Sequence, residues 1–176
     1  MKTRLPLSIV ASVIVALACS ASAVNQETGI SVGTRFHIEH SSFEDLPYGD
    51  GDMSYGIAFE WHENDAYWQI CVNFAQKLTK TNDTEHVVSP QLNLLLKDNF
   101  WRGGVGAMWS YVEREKESGS DSDWLDVYWQ FMFGVSMPIY GMTLDLMAYY
   151  VFEDWDRLDD FDLNDIEFGA WLGFKF

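Results

Sequence analysis

The stretch from Asp165 to Phe176 reads DIEFGAWLGFKF and alternates with a period of two. Ile166, Phe168, Ala170, Leu172, Phe174 and Phe176 form an apolar row, and Glu167, Gly169, Trp171, Gly173 and Lys175 form the opposite one. Successive side chains of an extended strand point to opposite faces, so the segment is a strand with one wholly apolar face. It is also long enough to cross a bilayer, because a tilted transmembrane strand uses roughly 9–11 residues.

The same alternation recurs upstream in seven further stretches: Gly29–Glu39, Met53–His62, Trp68–Ala75, Val87–Leu96, Trp101–Tyr111, Leu125–Ser136 and Met142–Phe152. Pro90 lies on the apolar row of the fourth and lacks a ladder donor, so a bulge or late start is expected there. The intervening segments alternate long and short. His40–Asp52, Lys77–His86, Glu113–Asp123 and Glu153–Asp165 are long and polar, whereas Glu63–Asp65, Lys97–Asn99 and Pro138–Gly141 are tight turns. Eight strands with such connections predict an all-β, antiparallel up-and-down transmembrane β-barrel, with the long loops outside and the short turns in the periplasm. Trp61, Trp68, Trp101, Tyr140 and Phe176 fall at the short-turn ends, and Trp109, Tyr111, Trp124 and Phe152 at the long-loop ends, as two interfacial girdles would require.

A soluble, lipocalin-like barrel would turn the apolar row inward around a ligand. Against it, the sixth stretch sets six apolar positions opposite a row of Asp, Tyr, Gln, Met, Gly and Ser, which suits a small polar lumen and a lipid-facing exterior. The pattern resembles the eight-stranded bacterial outer-membrane barrels of the OmpA-domain and OmpX type across essentially the whole mature chain. That resemblance implies partners in outer-membrane lipid, lipopolysaccharide and the assembly machinery. It also implies a C-terminal assembly signal carried by Phe174 and Phe176, with a departure at Trp171, where the family pattern favours glycine.

The other end agrees with an exported protein. Lys2 and Arg4 precede an apolar run, and Ala21-Ser22-Ala23 forms an A-x-A cleavage site, so residues 1–23 read as a signal peptide and 24–176 as the barrel domain. A rival reading is a lipoprotein signal ending at Cys19, but Ala16-Leu17-Ala18 before it fits poorly. Net charge is −16 and becomes more negative once Lys2 and Arg4 leave, which excludes nucleic acid as an expected partner. Cleavage leaves Cys71 as the single cysteine, so no intramolecular disulfide can form.

Chemistry is concentrated on the polar row. Arg35, His37, Glu39, Glu60, His62, Arg102, Asp126, Asp145, Glu167 and Lys175 all point to the lumen by their spacing. Charges in so narrow a barrel must pair or stay hydrated. The expected arrangement is a structural salt-bridge and water network plugging the lumen, with a narrow ion, solute or proton path as the alternative.

Two motifs lie outside that row. His40 and Ser42 have an H-x-S spacing like that of lipid A deacylases, and extrapolation of strand one puts both on the lipid-facing row. Phe43 follows instead of Asn, and no carboxylate shares that row, so no catalysis is expected. Eighteen of the 27 acidic residues fall in the long loops, and Asp154, Asp156, Asp159, Asp160 and Asp162 could offer oxygen ligands to a divalent cation, although none has calcium-loop spacing. No cofactor motif is present. The function expected is that of an outer-membrane barrel with a structural or surface-interaction role.

Overall fold

A computed structural model of the protein describes residues 27–40, 46–80, 84–116, 119–155 and 162–176. Eight strands, β1 Glu27–Phe36, β2 Met53–His62, β3 Ala66–Gln76, β4 Thr84–Lys97, β5 Trp101–Lys116, β6 Gly119–Ile139, β7 Met142–Phe152 and β8 Ile166–Lys175, form a closed barrel in sequence order. Every neighbouring pair is antiparallel, and β8 closes on β1 from Gly29–Lys175 to Phe36–Phe168. Closure leaves no open sheet edge around the belt, which an apolar solvent demands. The seam continues past the strands, where Thr28 and Phe176 exchange backbone hydrogen bonds of 3.3 and 2.9 Å.

The two rows separate as their periodicity requires. Val32, Ile57, Phe133 and Phe168 are 51–62% exposed on the outer face. Ser31, Ser54, Cys71, Asn93, Ser110 and Gln130 are at most 2% exposed on the inner face. An exterior of large apolar side chains around a buried polar interior is the inverse of a soluble barrel, and it is stable when hydrocarbon covers the outside.

The inner face is packed because glycines make room for large neighbours. Trp171 projects over Gly33 and Gly56, which sit side by side on β1 and β2; a Cβ on Gly33 would lie 2.5 Å from the indole, and one on Gly56 would lie 2.6 Å from it. Trp171 Nε1 donates to Tyr149 Oη at 2.7 Å, so its polar edge is satisfied inside the barrel. The indole at the position where the assembly-signal pattern has glycine is therefore balanced by glycines across the sheet.

Several local expectations are corrected. β4 is continuous through Pro90, which stands opposite Val72 on β3; the irregularity lies between Thr84 and His86. Glu113–Asp123 is not an irregular loop: β5 continues to Lys116 and β6 begins at Gly119. Charged side chains hide a strand from a hydrophobicity reading when both faces leave the apolar belt. The turn at Pro138–Gly141 narrows to Tyr140 and Gly141, with φ of 47° and 83°, the positive pair of a two-residue type I′ hairpin, while Pro138 pairs with Thr143. Tyr150 and Phe152, expected to face lipid, are 8% and 2% exposed; the Phe152 ring lies 4.9 Å from that of Phe131 and 5.0 Å from that of Trp155.

The barrel is lopsided. The last pair between β6 and β7 joins Trp129 to Phe152, so β6 residues 119–128 extend past β7 at the long-loop end. With β5 they form a hairpin that rises past the end of β7.

Candidate functional site in the barrel lumen

The lumen holds one connected run of polar side chains. At its long-loop end, Arg35 Nε donates to Glu167 Oε2 at 2.5 Å, and the two side chains are 1% and 2% exposed. His37 Nδ1 lies 3.0 Å from the same oxygen, and His40 Nε2 lies 3.1 Å from Oε1. Arg35 Nη1 donates to Gln130 Oε1 at 2.8 Å, and Gln130 Nε2 donates to Gln91 Oε1 and Asn93 Oδ1 at 3.0 and 2.8 Å. Asn93 passes the run to Gln69 at 3.0 Å, and Gln69 passes it to Glu60 at 3.1 Å.

At the short-turn end, Glu60 Oε1 accepts from Ser31 Oγ at 2.7 Å, and its Oε2 lies 2.9 Å from His62 Nε2. Lys97 Nζ then lies 3.4 Å from His62 Nδ1. Residues from β1, β2, β3, β4, β6 and β8 take part, so the network ties together strands far apart in sequence. Arg35 also stacks over Tyr149, with its guanidinium carbon 4.1 Å from the ring centroid.

Residues 46–52 of the first long loop lie over the long-loop end of this run. Leu46 and Tyr48 are 1% and 2% exposed, and the Tyr48 ring stacks on the His37 imidazole with centroids 3.7 Å apart and planes 6° apart. The Tyr48 hydroxyl and Ser89 Oγ are 2.7 Å apart, and Ser89 is as close to Ser110. Burial pushes the Tyr48 phenol up to about 12, so it stays neutral and hydrogen-bonded. Asp52 fixes the segment, accepting from Gly49 N at 2.7 Å and from Thr79 N at 2.9 Å. His37 lies just beyond the end of β1, and burial holds its imidazole below the usual histidine range despite the attraction of Glu167.

Arg35, His37, Glu60, His62 and Glu167 thus occupy the lumen and join the network. Arg102 is also buried, but it turns to the short-turn rim, donating to Ser136 Oγ at 2.8 Å and to the carbonyl of Trp101 at 3.0 Å. Lys175 is 34% exposed at the same rim, 3.8 Å from Glu27. Asp145 borders a lumen cavity of about 10 Å³ with Tyr67, Gln69 and Tyr149, room for about one water molecule.

Two expected members do not face the lumen. Glu39 is exposed because β1 ends at Phe36 and the alternation stops there. Asp126 is exposed because the β5–β6 ladder shifts register between Trp109 and Tyr111; Leu125 turns inward there to pack near Tyr48, Leu78 and Val87. His40 is corrected in the opposite sense. Extrapolation put it on the lipid face without a carboxylate, whereas it is 3% exposed and bonded to Glu167. Ser42, Glu44 and Asp45 lie outside the described residues, as do residues 1–23, Asp156, Asp159 and Asp160. Asp154 and Asp162 are exposed, and Asp162 caps the 3-10 turn Leu163–Asp165 by accepting from Asn164 N at 2.9 Å.

Charge and histidine content single out the two ends of the run but pass over Gln69, Gln91, Asn93 and Gln130, which carry its middle. Their place on the inward row was available as a signal, because they share its period with Arg35 and Glu60. Tyr48 gave none, since a loop residue has no periodicity to locate it.

Closed antiparallel topology, an apolar exterior and a filled polar lumen define a small eight-stranded up-and-down membrane barrel, the fold of the OmpX-type outer-membrane proteins. The same fold is found in Neisserial surface protein A (NspA), which matches 87% of this chain and 98% of its own at 14% identity, with a TM-score of 0.55. The attachment invasion locus protein Ail of Yersinia pestis matches 87% of this chain and all of its own at 15% identity, with a TM-score of 0.45. No family model and no curated protein matches the sequence.

Proposed function

We propose that the protein is a non-conducting barrel of the outer membrane that presents its β5–β6 hairpin and acidic loops to a partner outside the cell. The observation that carries this reading is the continuous side-chain run from His40 to Lys97, with Tyr48 seated over its long-loop end. An eight-stranded barrel has an interior only wide enough for its own side chains, and here they are bonded to one another.

The chemistry of the run also argues against proton relay. A proton passing from Glu167 to Glu60 would have to cross Arg35 and the amides of Gln130, Asn93 and Gln69. A guanidinium does not deprotonate in a protein, and a carboxamide is a poor proton carrier. The network therefore fixes strands rather than moving charge. His40 faces the lumen and not the lipid-facing row where an acyl ester would lie, so we read its contact with Glu167 as part of the same strand-fixing network.

The surface role draws on the asymmetry of the rim. The hairpin carries Asp121 and Asp123, both exposed, and rises past β7. Lipid would cover the apolar belt, and Phe174 and Phe176, 55% and 64% exposed at the end of β8, stand where the assembly machinery could read them.

Topology is tested by labelling intact cells with a membrane-impermeant maleimide in a Cys71→Ala background. Asp121→Cys should label at once, and Asn99→Cys only after the membrane is disrupted. The reverse order would invert the barrel and remove the surface role.

A further inference from the structure

We propose that the barrel seats one acyl chain of an amine-headed phospholipid in a groove on its outer face, at the short-turn ends of β2, β3 and β4, with the headgroup ammonium beside Glu63 and Asp65. The inference rests on the lipid-facing belt and does not require the surface role.

The groove is lined by Phe59, Trp61, Trp68, Ile70 and Leu92 and has a volume of about 250 Å³. Strand register builds it. Phe59, Ile70 and Leu92 stand side by side across the three strands, and Trp61 and Trp68 face each other one outward row nearer the short turns. Trp61 Nε1 is shielded from the surface, so the wall that this indole offers is carbon. Such a lining fits hydrocarbon and gives a polar headgroup nothing to bond.

In a bilayer the hydrophobic effect does not hold a chain against the barrel, because the surrounding chains are as apolar as the strand side chains. Shape is what distinguishes the groove. A chain seated in it is touched from more than one side, whereas a chain on the open belt is touched from one, and every added contact contributes dispersion.

The two indoles set the depth and the turn sets the headgroup. Tryptophans of membrane proteins sit at headgroup level, and the turn that joins Trp61 to Trp68 carries Glu63 and Asp65, both exposed. Asp98 in the next turn is exposed as well. The cations of this rim do not cancel them. Lys97 interacts electrostatically with Asp65, but its Nζ turns inward, 3.4 Å from His62 Nδ1. Arg102 turns inward to Ser136 Oγ, and Lys175 lies 3.8 Å from Glu27. The two turns therefore keep a net negative charge, which repels an anionic headgroup or the phosphates of lipopolysaccharide and attracts an ammonium. A zwitterionic ethanolamine headgroup supplies that ammonium.

The test is native mass spectrometry of the purified barrel released from micelles that hold equal amounts of ethanolamine-headed and glycerol-headed phospholipids with identical chains. One phospholipid should stay bound, with the ethanolamine-headed one favoured about threefold, the size expected of exposed charge pairs. Leu92→Trp, which fills the groove, should cut the bound fraction at least fivefold, and Val105→Trp, on the open outer face of β5, should leave it unchanged. Glu63→Gln with Asp65→Asn should abolish the headgroup preference and keep the chain bound. No retained lipid, retention in Leu92→Trp equal to that of the unmodified barrel, or equal loss in both tryptophan variants overturns the groove as a binding site. A preference for the glycerol headgroup, or one for ethanolamine that survives the paired carboxamide change, overturns the role of the acidic turn. If Leu92→Trp does not insert, Ile70→Phe fills the same groove and is read in its place.

Discussion

Glu167 on β8 and Arg35 on β1 face each other at 2.5 Å across the seam that closes the barrel, both almost wholly out of solvent. The pair joins the last strand to the first at the level where the two histidines and the first loop converge. Removing one charge leaves the other buried without its partner. Glu167→Gln should destabilise the barrel by about 3–5 kcal/mol, whereas Arg35→Leu with Glu167→Leu should cost clearly less than either single change. Urea unfolding from lipid vesicles measures both. A double variant that costs the sum of the two single changes would show that the pair does not act as a unit.

A second prediction concerns the space beneath Trp171. A methyl group at Gly56 would meet only side chains, those of Asn73 and Trp171, whereas one at Gly33 would meet the Trp171 indole and the backbone carbonyl of Ala170. Gly56→Ala and Gly33→Ala should each cost about 1–3 kcal/mol through overpacking. Trp171→Phe should ease the indole part of both clashes, leaving Asn73 Oδ1 against the Gly56 methyl and the Ala170 carbonyl at 2.5 Å from the Gly33 methyl. Unfolding midpoints of the two glycine variants, each with and without Trp171→Phe, measure this, and full rescue of either would place its strain in the indole alone.

The third prediction separates the two faces of one strand. Leu146 is 42% exposed on the outside of β7, and its neighbour Met147 is 5% exposed in the lumen. Leu146→Arg should cost roughly 2–4 kcal/mol if it stands near the bilayer midplane. Met147→Gln, close in volume and next to polar Gln69 and Asp145 around the lumen cavity, should cost much less. The same unfolding assay applies, and a larger effect at Met147 would mean that inside and outside are exchanged.

The barrel was legible in the sequence wherever one rule, the alternation of side chains, applied without interruption. It placed Ser31 and Arg35 inside and Val32 and Phe168 outside. The errors begin where the alternation is broken by backbone events that leave no mark on residue types. β1 stops at Phe36, so Glu39 and His40 exchanged their expected environments. The register shift between Trp109 and Tyr111 moved Asp126 out and Leu125 in. The polar network was only half legible for a different reason. Charge draws attention to Glu60 and Glu167, but the bonds between them run through neutral amides, and the Tyr48 lid depends on a loop fold that periodicity does not describe.

Conductance through purified protein in a planar bilayer tests the sealed lumen most directly. The side-chain run and the Tyr48 lid predict a silent membrane at neutral pH, with no discrete steps above the lipid baseline. Stepwise currents at neutral pH that change in size on Glu60→Gln or Gln130→Ala would show ions passing through the network and would contradict the account.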